Sequence, residues 1–63
     1  MYRLLVYYPD SRAVHATIEL AMAADVFDAI TRTLAEHAGC EHVVVTLDHT
    51  RLFAVDCKGR RLP

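Results

Sequence analysis

Apolar positions along the chain follow two rhythms. Residues 2–8, Tyr-Arg-Leu-Leu-Val-Tyr-Tyr, are dense in aromatic and aliphatic side chains and predict a first strand. Pro9-Asp10-Ser11-Arg12 reads as a turn, because Pro presets φ and Asp and Ser can bond nearby amides. Residues 13–20 then alternate: Val14, Ala16, Ile18 and Leu20 point one way, His15, Thr17 and Glu19 the other. That predicts a half-buried strand joined to the first as an antiparallel hairpin.

The period changes after Leu20. Val26, Ile30 and Leu34 recur every four residues, with Ala23 and Phe27 on the same broad face and Asp25, Asp28, Arg32 and Glu36 opposite. An amphipathic helix of about 14–17 residues follows. It starts either at Asp25 as N-cap or already in Met22-Ala23-Ala24. Both aspartates then sit where the helix dipole favours negative charge. The spacing also offers Asp28–Arg32 and Arg32–Glu36 as i,i+4 ion pairs. His37 falls in the last turn, and Gly39 is expected as a left-handed residue ending the helix.

A β-branched run at 42–47 predicts a third strand, Asp48-His49-Thr50-Arg51 a turn, and residues 52–57 a fourth strand closing a second hairpin. The expected fold is a single α+β domain of order β-β-α-β-β. It holds a four-stranded, mostly antiparallel sheet with one helix on one face. Residues 1–57 make the domain and 58–63 a basic tail expected to fray. Strand order stays open: if the second and third strands are neighbours, the helix is a right-handed crossover between parallel strands.

The inward face is expected to collect Leu4, Val6, Val14, Ala16, Ile18, Leu20, Val43, Val45, Leu47, Phe53, Val55 and Cys57. Val26, Phe27, Ile30 and Leu34 come down from the helix. The other face would carry an apolar strip of Leu5, Tyr7, Val44, Leu52 and Ala54 with nothing in the chain to cover it. Such a strip marks a contact surface, and self-association as a homodimer or partner binding is expected through this face or through an edge strand.

Composition agrees with a packed domain. The 63 residues are 54% hydrophobic, with only two glycines and two prolines, which excludes disordered and linker-like sequence. Size alone predicts about 4,100 Å² of exposed surface, a domain small enough to gain from a partner. No apolar run approaches the roughly 18 residues that span a bilayer, so no membrane is expected. No signal-peptide plan is evident at Met1-Tyr2-Arg3, which makes the cytoplasm the expected location and reduced thiols the expected state of Cys40 and Cys57.

Charge is unevenly spread. The net value is −1, but residues 1–57 hold four basic residues against all eight acidic ones, a balance of −4, and Lys58, Arg60 and Arg61 return +3. The basic end offers phosphate contacts, whereas the acidic body would repel a nucleic acid backbone. Direct nucleic-acid binding is therefore the lesser expectation.

Catalytic signals are weak. His37, Cys40 and His42 lie close in sequence but lack the paired spacing of a zinc site, so no metal or other cofactor is expected. Cys57 alternates inward, and Cys40 follows a helix C-terminus, whose dipole raises a thiol pKa. Glu19, Asp25 and Asp28 read as solvated carboxylates, and neither glycine lies in a phosphate loop. The expectation is a non-catalytic protein. Its acidic helix positions Asp25, Asp28 and Glu36 would meet a basic surface on a protein partner.

The plan resembles small phage-encoded inhibitors, anti-CRISPR proteins in particular. The resemblance rests on size, on the hairpin–helix–hairpin order from Tyr2-Arg3-Leu4-Leu5 to Phe53-Ala54-Val55, and on the acidic segment Asp25-Val26-Phe27-Asp28. It implies a protein that occupies a basic, nucleic-acid-binding surface of a bacterial effector complex, in the host cytoplasm. It brings no binding residues with it, and the basic tail departs from a nucleic-acid mimic. The competing expectation is a small dimeric nucleic-acid-binding or antitoxin-type regulator using Arg60 and Arg61.

Overall fold

A computed structural model describes all 63 residues. The alternating segments form β1 (Tyr2–Tyr7) and β2 (Ala16–Leu20), and the β-branched run forms β3 (His42–Leu47), paired with β4 (Thr50–Asp56). Between them a single 3-10 turn, Ala23–Asp25, runs into α1 (Val26–Glu36). The chain is α+β: one antiparallel sheet of order β2-β1-β3-β4 and one helix. β1 separates β2 from β3, so α1 crosses over an intervening strand rather than linking neighbours. Exposed surface is 4319 Å², close to the expectation from size. No helix is long and apolar enough to cross a membrane.

The core lies between α1 and the two central strands. Leu4, Val6, Val43 and Val45 are fully buried. Cross-strand pairing sets Leu4 against Val45 and Val6 against Val43. From above come Val26, Ala29, Ile30 and Thr33, the i, i+3, i+4, i+7 stripe of one helix face. The small Ala29 side chain is buried in this interface, at 2% exposure.

That stripe corrects the sequence reading. The expected stripe ran through Val26, Phe27, Ile30 and Leu34, but Phe27 is 73% exposed and Leu34 only half-buried. Phe27 stands about 100° round the helix from Val26, and packing on Leu4 and Val45 turns Ala29 and Thr33 inward instead. Val14 lies before β2 and is exposed, and Cys57 lies beyond β4 and is exposed. Ala54, assigned outward, is 1% exposed.

Helix ends and turns differ in detail. Asp25 is the N-cap but makes no side-chain capping bond. His37 is the C-cap, and the only glycine with positive φ is Gly59, so Gly39 does not end the helix in a left-handed conformation. Neither Asp28–Arg32 nor Arg32–Glu36 closes to an ion pair; Arg3–Glu19 and Met1–Asp48 do, and Glu41 Oε2 lies 3.6 Å from His42 Nδ1. The β3–β4 turn places Asp48 at φ 55, a region Asp tolerates.

The basic end folds back against the sheet. After Cys57 the chain turns through Gly59 and returns beside β4, with a bridge between Val55 and Arg61 and a Leu62 N–H bond to the Ala54 carbonyl of 2.8 Å.

Candidate functional site

The exposed face with most chemical character is the rim where α1 meets β4. It arises from a slip in the β3–β4 register between Val45 and Thr46: Val45 faces Phe53, and Thr46 faces Arg51. Leu52 is the extra residue of this bulge. Strict alternation would send it to the outer face, as the sequence predicted. Instead it lines a shallow apolar groove on the helix side with Tyr2, Val26, Phe27, Val45 and Phe53. Phe27 stacks on Phe53 at 6.4 Å between ring centres, and the Arg61 guanidinium lies over Phe53 at 4.6 Å. That arrangement is a cation–π contact holding the chain end against the rim.

Acidic residues adjoin the rim. Asp25 and Asp28 line a second shallow groove with Thr31 and Arg32. Thr31 also borders a third groove, between α1 and the chain end, that Phe27 lines with Ile30, Leu34 and Lys58, so the acidic groove meets Phe27 through that one and not through the apolar groove. Neither aspartate is in an ion pair, which leaves both carboxylates free to meet an external cation. Glu36 is exposed in the last helical turn, outside that groove. The structure therefore brings Asp25 and Asp28 together with Phe27 and does not bring Glu36 to them.

The outer sheet face is less apolar than the sequence suggested. Leu5, Val44 and Ala54 form one cross-strand row, with Thr17 at its β2 end. Leu5, Tyr7 and Val44 are half-buried. Ala54 is buried between Val44 and the returning tail, and Leu52 has left for the rim. Of the five residues of the expected strip, only Leu5, Tyr7 and Val44 remain a partly exposed outer patch. Tyr7 stacks on His42 at 4.8 Å, interplanar 9°.

The His37–Cys40–His42 segment is split three ways. Tyr8 Oη and His37 Nδ1 are 2.9 Å apart, His42 stacks on Tyr7, and Cys40 is buried in the core. His15 packs on Tyr8 at 4.3 Å. No group of three metal-ligating side chains converges. Burial pushes the Cys40 thiol above its ordinary range, with the charge of Cys57 adding to the shift, so it is a poor nucleophile. The sequence pointed to the helix dipole for such a rise; in the structure burial is the largest cause.

Asp56 holds the tail turn. Its Oδ1 accepts from the Lys58 and Arg60 backbone N–H groups, each at 2.9 Å. The Arg60 N–H bond chiefly, with that of Lys58, holds the Asp56 carboxyl below the usual aspartate value. The Asp48 carboxyl is lowered by the hydrogen bond from the N-terminal ammonium at 3.0 Å.

Sequence reasoning missed Phe27, Phe53 and Arg61 as a unit. The available signal was the position of Phe27 at the edge of the apolar stripe, where a large ring can fall on either side. Compared with known proteins, the chain matches no family model, no curated protein and no solved structure.

Proposed function

We propose that this protein is a non-catalytic binding module whose α1–β4 rim contacts a protein with a basic surface. In this reading it is a small inhibitor that covers the nucleic-acid-binding surface of a bacterial effector complex, in the cytoplasm. The observation that carries the reading is the continuity of an exposed aromatic, Phe27, with two unpaired carboxylates, Asp25 and Asp28. An apolar anchor beside charges that set register is the usual composition of a protein contact surface. Glu36 extends the acidic stripe along the helix and adds to steering rather than to the contact centre.

The test uses nuclease-treated bacterial lysate and immobilised protein. Wild type retains a protein partner after nuclease treatment. D25K/D28K/E36K and Phe27→Ala each lower its recovery at least tenfold, on the scale of a lost interface anchor of about 1.4 kcal/mol or more. If all four positions are changed without effect, the rim is not the contact surface. Recovery that vanishes with nuclease and depends on Arg60 and Arg61 supports the antitoxin-type regulator instead.

A further inference from the structure

The two edges of the sheet are finished differently. At the β4 edge the returning chain covers the backbone groups of the Ala54–Asp56 end, with Leu62 N–H bonded to the Ala54 carbonyl and Asp56 N–H to the Arg60 carbonyl. At the β2 edge no segment pairs with the outer side of Ala16–Leu20. An open edge strand is a template for another strand unless Lys, Pro, a bulge or a cover blunts it. β2, Ala-Thr-Ile-Glu-Leu, has no Lys or Pro, and its pairing with β1 runs without a register shift. Its one charge, Glu19, is held by Arg3 at 3.0 Å.

We infer that β2 pairs antiparallel with β2 of a second copy, across a two-fold axis at Ile18, giving a continuous eight-stranded sheet. The register argues for the occupant. With Ile18 opposite its symmetry mate, Ala16 faces Leu20 of the second copy and Thr17 faces Glu19. No like charges oppose one another, and Thr17 is a neutral hydrogen-bonding neighbour for a carboxylate. Four residues either side of Ile18 stand Val14 and Met22, two of the five large hydrophobics exposed in the single chain, at 41% and 62%. The same two-fold brings Val14 of one copy toward Met22 of the other, so both ends of the strand gain an apolar contact. Met22 itself has extended backbone, φ −121 and ψ 136, one residue beyond a bend at Ala21. The helices then lie on the same side of the joined sheet, and the α1–β4 rims lie at its two far ends.

Sedimentation equilibrium over about 5 to about 500 μM tests this, a range that brackets the affinity of a short strand interface. Wild type moves with concentration from 7.1 kDa toward twice that mass. Thr17→Glu sets two carboxylates opposite each other and weakens association at least tenfold. Thr17→Lys sets an ammonium opposite Glu19 and leaves association equal or tighter. Met22→Asp also weakens it at least tenfold, and because Met22 is the exposed N-cap of the 3-10 turn with no capping bond, Asp there does not harm the fold. Amide exchange on wild type adds a readout free of substitution: protection in β2 rises with concentration and protection in β4 does not. The inference is overturned if wild type stays at 7.1 kDa throughout. It is also overturned if Thr17→Glu and Thr17→Lys act alike, or if Phe27→Asp breaks the dimer while Met22→Asp does not. The last result would move self-association to the rim, and none of these outcomes decides whether the rim binds a basic partner.

Discussion

β2 and β4 face the same physical problem, a row of backbone donors and acceptors with no strand beyond them, and the chain treats them unequally. For β4 it supplies a turn and a returning segment, pinned by the Asp56 carboxylate, by backbone bonds to Ala54 and Asp56, and by Arg61 over Phe53. For β2 it supplies only brevity, five residues, and one tethered glutamate. The contrast also divides the exposed apolar residues. Phe27 and Leu52 gather at the β4 end, and Val14 and Met22 flank β2. A small domain with more apolar residues than one helix–sheet layer can bury has placed the surplus at two separate places. The two proposed contacts differ in kind accordingly: strand pairing at one edge, and a side-chain surface at the other.

Three experiments test this contrast. The largest effect is expected from Gly59→Ala. Gly59 has φ 85, where a Cβ is strained. The substitution should cost about 1–2 kcal/mol. Chemical denaturation measures the loss, and amide exchange should accelerate at Leu62 while β2 stays unchanged. If both edges respond equally, the tail does not protect β4 in particular. Arg61→Ala comes next. It removes the contact with Phe53 and should cost about 0.5–1 kcal/mol by the same assay. It should also raise the mobility of the Phe53 ring, read by nuclear magnetic resonance. The smallest effect is the acid response of Asp56. Its carboxyl titrates lower in the folded chain than unfolded, so its contribution is complete above the ordinary value of 3.8 and is lost as pH falls through the lower, folded value. The Lys58 and Arg60 amides should lose protection in that window, and Asp56→Asn should abolish the pH dependence while keeping an acceptor. If those amides respond near neutrality, another group holds the turn.

Much of the architecture was legible because its causes are local. Alternation at 13–20, the β-branched run at 42–47 and the four-residue period from Val26 each follow from the geometry of one element. They suffice for β-β-α-β-β and for a mostly antiparallel sheet under one helix. The apolar excess and the −4 body with its +3 end were likewise plain from residue identities. The acidic positions Asp25 and Asp28 were legible as exposed, but their neighbour Phe27 was assigned to the core. A ring about 100° round the helix from Val26 falls near the boundary of the stripe, and only the surface beneath decides which way the helix rolls.

What the tertiary structure alone decided depends on residues far apart in sequence. The strand order, with β1 between β2 and β3, is set by which hydrophobic faces close over Leu4, Val6, Val43 and Val45. The bulge at Leu52 breaks the two-residue period that sequence reading relies on, so one residue changed faces and the expected outer strip shrank. The tail looked like a fraying basic end because charge is visible in sequence, whereas a carboxylate accepting two backbone N–H groups is not. The sequence by itself determined the elements, the surplus of apolar residues and the sign of the charge. Tertiary packing decided where that surplus emerges, because the face a side chain takes depends on the whole sheet and not on its own segment.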